Sequence, residues 1–300
     1  MFRPRIAITV GDPAGIGPEI AAKAAADVRI TEICDVVLFA PPAGDYRMGE
    51  VSAAAGRASF DTIVRAVEAA RRGEVDAVAT APISKTALAM AGLPWKGHTD
   101  LLAHLCGVSR VAMMFHTPGL KVVLITVHVP LAAVPALLTR DTVDAVLRLT
   151  ADALPRFGVS APRIALAGLN PHAGEQGLLG AEEGDVLAPS VAAMRAEGID
   201  VTGPWPADTI FLRAHRGEFD CVVACYHDQG LIPVKLLAFG QAVNVTIGLP
   251  IIRTSVDHGT AFDIAGQGVA DPGSLIEAVR LAAMLATGAA RRGQPTASGR

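Results

Sequence analysis

Three histidines stand at equivalent places in the sequence pattern. His128, His172 and His227 each follow a short apolar run of the kind that forms a buried strand. In open α/β sheets, ligands bind outside the carboxyl ends of the strands. Three imidazoles at that edge suit a divalent metal that keeps open positions for a substrate. The sequence therefore predicts a metal site, although each histidine taken alone is more typical of a hydrogen-bonded surface residue.

Acidic neighbours accompany two of these histidines. Glu175 follows His172 in NPHAGE, and Asp228 directly follows His227. A carboxylate that binds one imidazole nitrogen fixes the ring and leaves the other nitrogen for a metal. Both acids are equally typical of helix caps, so the sequence leaves their role open.

Further polar residues have the chemistry of a phosphate site. His98 and Thr99 lie together in KGHTD, where Thr99 is also typical of a helix N-cap. Lys235, Asn244 and Arg253 follow at intervals of nine residues. The neighbours of Lys235 and Arg253 in the sequence are apolar, and a charge in such surroundings needs a partner. Phosphate is one such partner, and ordinary solvated charges are the alternative.

A glycine-rich segment, VGDPAGIGPEI (10–20), joins the first apolar run to a helical stretch. Such a turn can point backbone N–H groups at an anion, and a tight turn without a ligand is equally consistent with the pattern. The segment matches neither GxGxxG nor GxxxxGK[ST], which excludes a Rossmann fingerprint and a P-loop.

The elements that position these residues follow from the apolar runs. The runs are rich in valine and isoleucine and continuous rather than alternating, which predicts strands buried on both faces: residues 5–10, 35–40, 76–81, 120–127, 163–169, 220–225 and 242–247. Helical stretches, such as 59–73 and 141–158, lie between them. This alternation predicts an α/β fold with a mostly parallel sheet.

Composition limits the class of protein. The chain has 300 residues, a net charge of -3 and 18% charged residues, so it is globular and has no general attraction to nucleic acid or anionic membranes. No apolar run approaches the roughly 18 residues of a membrane span, and the start is not typical of a signal peptide. The four cysteines form no CxxC pair. We therefore expect a cytoplasmic enzyme with reduced, buried thiols.

Several sequence blocks together resemble the 4-hydroxythreonine-4-phosphate dehydrogenase family. They are VGDPAGIGPEI (10–20), GHTD (97–100), VHVPL (127–131), GLNPHAGE (168–175), GPWPADT (203–209), YHDQGLIPVK (226–235) and RTSVDHGTAFDIAGQG (253–268). The resemblance covers nearly the whole chain, and so many blocks in one order make it specific.

The resemblance implies an isocitrate/isopropylmalate dehydrogenase-like fold, with two α/β/α domains and a cleft between them. The expected domains are 1–95 plus 245–300, with the nucleotide-side loop, and 96–244, with the metal site and dimer contacts. It also implies a homodimer whose active site takes residues from both subunits.

The resemblance assigns roles residue by residue. The metal ligands match His128, His172 and His227, and the substrate-binding positions match His98, Thr99, Lys235, Asn244 and Arg253. HGTAFDIAG is similar to the adenine-side NAD loop of isopropylmalate dehydrogenases, which places the nucleotide at His258, Gly259, Thr260 and Asp263.

The implied reaction is the oxidation, with decarboxylation, of 4-phosphohydroxy-L-threonine to 3-amino-2-oxopropyl phosphate in pyridoxal 5'-phosphate biosynthesis. A divalent metal (zinc, magnesium or cobalt) supplies Lewis-acid chemistry, and NAD or NADP accepts the hydride. The candidates for the proton acceptor are Lys235 and a metal-bound water.

The chain also departs from the family pattern. It is shorter than is usual, and the missing part lies between the 35–40 run and GEVSAAAGRASFD (49–61). The block GEVSAAAGRASF (49–60) and the stretch IPVKLLAF (232–239) resemble the family's 4-phospho-D-erythronate dehydrogenase branch, which gives an alternative substrate. GHTD and Arg253 argue against the branch that oxidises cyclic dihydrodiols. A non-redox acyl- or phosphate-transferase shares the fold, but the strand-end histidines and HGTAFDIAG disfavour it.

Overall fold

The computed structural model of the chain describes residues 2–293. They divide into two compact α/β units. The first contains the residues up to Ser109 together with those from Leu249 onward, and the second is Arg110–Gly248. The chain therefore leaves the first unit, builds the second without interruption and returns.

Strands occur wherever the sequence predicted them, together with further ones. The prediction of burial on both faces is wrong for residues 35–40, where Val37 and Leu38 of an edge strand are exposed. In chain order the strands are β1 Arg5–Thr9, β2 Asp35–Phe39, β3 Ala77–Thr80, β4 Ala112–Thr117, β5 Leu120–Leu124, β6 Ile164–Ala167, β7 Val201–Trp205, β8 Cys221–Ala224, β9 Val243–Ile247 and β10 Arg253–Ser255.

The α-helices alternate with these strands for most of the chain. They are α1 Gly17–Ala26, α2 Val28–Thr31, α3 Ala53–Arg71, α4 Lys85–Met90, α5 His98–Cys106, α6 Val134–Leu137, α7 Arg140–Ala153, α8 Ala188–Ala196, α9 Ala207–His215, α10 His227–Ala238 and α11 Gly273–Gly293. The prediction of an α/β fold is confirmed.

The first unit has a parallel sheet in the order β2–β1–β3–β10. Its long helix α11 is the one helix among residues 2–293 that is long and apolar enough to span a membrane, over Gly273–Ala290. More than half of that window is buried, and Leu275, Ile276 and Val279 are fully buried. This burial is that of a helix packed into the core of the unit.

The second unit has the strand order β9–β4–β5–β8–β6–β7. Strands β5, β8, β6 and β7 are parallel neighbours, whereas β4 runs antiparallel to both β5 and β9. Leu124 of β5 is in register with Ala224 of β8. Because β5, β8 and β6 are adjacent and parallel, their carboxyl ends lie at one edge of the sheet.

The predicted state of the cysteines is confirmed. Cys34, Cys106, Cys221 and Cys225 are all buried and unbridged. Burial raises the pKa of the Cys221 thiol to about 12 and raises the pKa of Cys225 still further. These thiols pack as small apolar groups and do not act as thiolates at neutral pH.

Candidate active-site residues

Each predicted metal-binding histidine follows one of the adjacent parallel strands of the second unit. His128 comes after β5, His227 after β8 and His172 after β6. The strand order β5–β8–β6 therefore delivers all of these histidines to the same edge of the sheet. The sequence pattern alone could not show this order, since it depends on how the strands pair.

His128 and His227 lie close together. Their ring centroids are 5.5 Å apart, and the rings are tilted by 44°. His227 is the first residue of α10, so the regular helix that follows β8 fixes its backbone. Two imidazoles this close are suited to share one metal ion.

Asp228 orients His227. Its Oδ1 lies 2.7 Å from Nδ1 of His227, and the N-cap of α10 is Tyr226, without a side-chain cap. The sequence allowed Asp228 either to cap the helix or to orient His227, and the structure shows the second. With Nδ1 bound to the carboxylate, Nε2 is the nitrogen available to a metal.

His172 has a similar carboxylate partner in a different backbone setting. Its Nδ1 lies 2.9 Å from Oε2 of Glu175, three residues later. The side chain is 69% exposed. Among residues 2–293, no group of three or more His, Cys, Asp or Glu side chains is arranged to hold a metal ion. One chain therefore brings two of the three predicted ligands together.

The turn around His172 is left-handed. The φ angles of His172, Ala173, Gly174, Glu175 and Gln176 all lie between 43° and 79°. A left-handed helical conformation costs roughly 1–2 kcal/mol for each residue other than glycine. Such a run persists only where surrounding contacts hold it.

A buried carboxylate next to this run, Glu183, was not among the predicted site residues. It is buried and accepts hydrogen bonds from the backbone N–H groups of Leu169 and Asn170. The sequence around it, AEEGD, is typical of a solvated helix start, so no local signal identified it.

Two substrate-binding candidates lie in the second unit. Asn244 is on β9, and its Oδ1 is buried with no hydrogen-bond partner in the described part of the chain. Lys235 is on α10 and exposed. Its apolar neighbours Leu236 and Phe239 are themselves more than 80% exposed.

The other substrate-binding candidates lie in the first unit. His98 is the first residue of α5, and Gly97 is the N-cap. Thr99 lies inside the helix, so the N-cap interpretation of Thr99 is wrong. The Nε2 atom of His98 is buried, and no atom of residues 2–293 forms a hydrogen bond with it. A buried imidazole nitrogen without a partner is a feature of binding sites.

Charge and burial define the chemistry at His98. Burial, and secondly the positive charge of Arg253, hold the pKa of His98 well below its usual range, so its imidazole is neutral. Arg253 is 1% exposed on β10 and donates a hydrogen bond from Nη2 to Oγ1 of Thr80 at 2.7 Å. Burial lowers the pKa of Arg253 to about 9, which leaves it charged at neutral pH. A buried cation beside a neutral imidazole suits a phosphate group.

The predicted nucleotide residues form a surface loop of the first unit. His258, Gly259 and Asp263 are exposed. The carbonyl of Thr260 accepts a hydrogen bond from the N–H of Ile16, at 3.0 Å. The glycine-rich segment 10–20 is thus tied to this loop through its backbone.

Comparison with known proteins identifies the family. The family model described as "Pyridoxal phosphate biosynthetic protein PdxA" matches residues 9–282. The chain belongs to the PdxA family. It is therefore a NAD(P)-dependent dehydrogenase, as the sequence predicted, and the transferase alternative is not supported.

Relatives within the family differ in name. The solved structure of a 4-hydroxythreonine-4-phosphate dehydrogenase from Klebsiella pneumoniae has 43% identity and a TM-score of 0.87, and the match covers 95% of this chain and 98% of that one. A D-threonate 4-phosphate dehydrogenase from Cupriavidus necator is 44% identical over 328 residues, with 95% and 98% covered. That aligned length exceeds the 300 residues of this chain, so the relative has segments that this PdxA-family member lacks.

The predicted fold class is confirmed by a more distant likeness. A β-decarboxylating dehydrogenase from Thermococcus kodakarensis has a TM-score of 0.52 at 17% identity, over 92% of this chain and 81% of that one. The PdxA-family fold of this chain is therefore the mixed α/β fold of the β-decarboxylating dehydrogenases.

Proposed function

We propose that this chain is a metal-dependent dehydrogenase that oxidises and decarboxylates 4-phosphohydroxy-L-threonine to 3-amino-2-oxopropyl phosphate, in the cytoplasm and for pyridoxal 5'-phosphate synthesis. The observation that carries the proposal is the pair His128 and His227 at the carboxyl edge of the sheet, with His227 oriented by Asp228. The likeness to the Klebsiella pneumoniae enzyme supports the substrate.

A divalent metal would be held by His128, His227 and His172. When bound, it would act as a Lewis acid toward the substrate hydroxyl and the carbonyl that replaces it. Zinc suits imidazole ligands, and cobalt and magnesium are the other candidates. Asp228 and Glu175 keep the imidazoles in one tautomer and one orientation, so that little reorganisation is needed when the ion binds.

A homodimer explains why one chain assembles only two ligands. Ile232 and Leu236 of α10 and Phe239, the C-cap of that helix, are spaced as i, i+4 and i+7 and are all strongly exposed, and so is Leu178 beyond the His172 turn. Side chains at this spacing share one helix face. Monomeric proteins rarely leave such an apolar face open. We infer that a second copy of the chain covers it and that His172 meets His128 and His227 across that interface.

The remaining site residues bind and orient the substrate and the cofactor. His98, Thr99 and Arg253 would bind the phosphate, with Lys235 and Asn244 as further contacts. Lys235 is the proposed acceptor of the hydroxyl proton. The loop that contains His258, Gly259, Thr260 and Asp263 would hold NAD or NADP, which would supply the hydride acceptor.

A second candidate substrate is a 4-phosphorylated sugar acid, either D-threonate 4-phosphate or 4-phospho-D-erythronate. The observation that favours it is the D-threonate 4-phosphate dehydrogenase at 44% identity, the same identity as that of a 4-hydroxythreonine-4-phosphate dehydrogenase from Beijerinckia indica. The same metal and phosphate contacts would serve, since both substrates carry a hydroxyl, a carboxylate and a terminal phosphate.

Reduction of NAD and NADP by the purified protein tests these proposals. Each candidate substrate is supplied with zinc, cobalt or magnesium. We expect turnover of 4-phosphohydroxy-L-threonine that is lost on chelation and restored by metal. Turnover of the sugar acids alone would move the function to sugar-acid catabolism. Turnover that survives chelation would contradict the metal site.

A further inference from the structure

Glu183 is a buried carboxylate with no direct role in the proposed chemistry. Its side chain is 6% exposed. Its Oε1 accepts hydrogen bonds from the N–H groups of Leu169 and Asn170, at 2.8 and 2.7 Å, and its Oε2 accepts one from Nδ2 of Asn170, at 2.9 Å. These bonds hold the backbone immediately before His172.

The same carboxylate also lies against the backbone that follows His172. A Cβ placed on Gly174 would be only 2.7 Å from Oε2 of Glu183. Gly174 is in the middle of the left-handed run, at a φ of 79°. Glu183 therefore binds the backbone before His172 and lies close to Gly174 after it.

The backbone at Glu183 is itself unusual. Glu183 is the first residue of a π-helical turn, Glu183–Leu187, that leads into α8. Turns of this kind are rare and occur frequently at functional sites. A buried carboxylate is costly unless hydrogen bonds compensate it, and the groups that compensate this one belong to the His172 segment.

We propose that Glu183 is a positioning residue that holds the left-handed turn in the conformation from which His172 binds the metal. The inference rests on the proposed metal site. It assigns Glu183 no contact with the metal, the substrate or the cofactor. Its effect passes through the backbone of residues 169–174, whereas Glu175 acts on the imidazole directly.

Metal affinity measured by calorimetry, with Co2+ as the probe, tests the inference. Partners of metal ligands typically contribute about 10- to 100-fold to metal affinity. We expect Glu183→Ala to bind Co2+ at least tenfold more weakly, with an altered visible spectrum of the bound ion and an unchanged KM for NAD. If Glu183→Ala does not fold, Glu183→Asp replaces it, because the shorter side chain cannot bridge Leu169 and Asn170. A folded variant with unchanged affinity and spectrum would overturn the proposal.

Two control variants are needed. One distinguishes a positioning role of Glu183 from a general effect on stability, and the other tests the proposed metal site itself. Leu187→Ala removes a fully buried side chain of the same π-helical turn but keeps the hydrogen bonds to the turn. We expect it to lower the melting temperature and to leave Co2+ affinity unchanged; an equal loss of affinity would mean that Glu183 acts through stability alone. His172→Ala must abolish tight Co2+ binding. If it does not, the metal site itself is wrong, whereas loss in His172→Ala without loss in Glu183→Ala overturns only this inference.

Discussion

His227 and His172 follow neighbouring strands of one sheet, and each has a carboxylate within 3 Å of Nδ1. Their backbones differ. His227 begins a right-handed helix and is 37% exposed, whereas His172 lies in a left-handed turn and is 69% exposed. A right-handed helix places its first residue without backbone strain, whereas a left-handed run of non-glycine residues must be held by other groups.

This difference indicates two ways to place a ligand. The His227 position is built into regular structure and is close to His128 before any ion binds. The His172 position depends on hydrogen bonds from a distant part of the sequence and is open to solvent in one chain. We interpret the first as the preformed half of the site and the second as the half that a dimer completes.

The largest expected effect is that of removing either histidine. His227→Ala and His172→Ala should each lower kcat/KM by about a thousandfold, because Lewis-acid stabilisation of the transition state is worth several kcal/mol. Steady-state NADH formation measures it. A His172→Ala variant with near-normal turnover would show that the two positions are not halves of one site.

Mixed dimers sharpen the comparison further. If His172 acts across the interface, a dimer of one His128→Ala chain and one His172→Ala chain has one intact site and one doubly altered site. Co-refolding equal amounts of the two inactive variants should then restore about a quarter of the parent activity, since random pairing makes half of the dimers mixed. If all three histidines act within one chain, every site lacks a ligand and no activity returns.

A charge on the exposed apolar face of α10 should dissociate the proposed dimer and so separate His172 from His128 and His227. Leu236→Asp places a charge in the proposed interface, where desolvation of an unpaired charge is costly. We expect monomers by sedimentation and a loss of activity of roughly a hundredfold, since charges at hot-spot positions cost several kcal/mol of association. The matched control is Leu212→Asp, which changes an exposed leucine on α9. A fully active Leu236→Asp monomer would contradict the shared site.

The two carboxylate partners should differ in importance. Glu175→Ala is expected to weaken Co2+ binding by 10- to 100-fold, and Asp228→Ala by about tenfold or less. The reason is that the His172 side chain is more exposed than the His227 side chain and so depends more on its carboxylate partner for its orientation. Calorimetric titration of both variants measures the difference. Equal losses would mean that the backbone setting does not matter.

Most of the fold could be predicted because buried parallel strands have a strong signal. The apolar runs at 120–127 and 220–225 predicted β5 and β8, the strands that His128 and His227 follow. The strands that the sequence did not reveal lack that signal. β4 is rich in methionine, β7 contains Gly203 and Pro204, and β10 has three residues. These features are atypical of strands.

The reversal of β4 also has a local cause. Pro118 and Gly119 form the two-residue turn between β4 and β5, with Thr117 paired to Leu120 and Gly119 at a φ of 91°. Proline followed by a left-handed glycine is typical of a tight β-turn. The dipeptide Pro118-Gly119 is thus a local sign of the hairpin, whereas the apolar pattern revealed only its second strand, β5.

The site could be predicted only as far as residue type and strand position define it. The pairing of His128 with His227 and the contact of Asp228 follow from the sheet order and from adjacency in sequence. The left-handed turn could not be predicted, because His172, Ala173, Glu175 and Gln176 have no intrinsic preference for that conformation. It depends on hydrogen bonds to Glu183, a tertiary contact that no local pattern encodes.

The smallest effect, and the most direct test of the turn, is on stability. Gly174→Ala places a methyl group at a φ of 79° and against the Glu183 carboxylate, so we expect a loss of about 1–3 kcal/mol in the free energy of unfolding. Gly184→Ala is the matched control, because no atom lies within 4 Å of its added Cβ and its φ is not left-handed. In that helical position alanine should be neutral or stabilise by a few tenths of a kcal/mol. Urea denaturation compares the two, and equal stabilities would show that the turn is not held in the conformation on which the His172 half of the site depends.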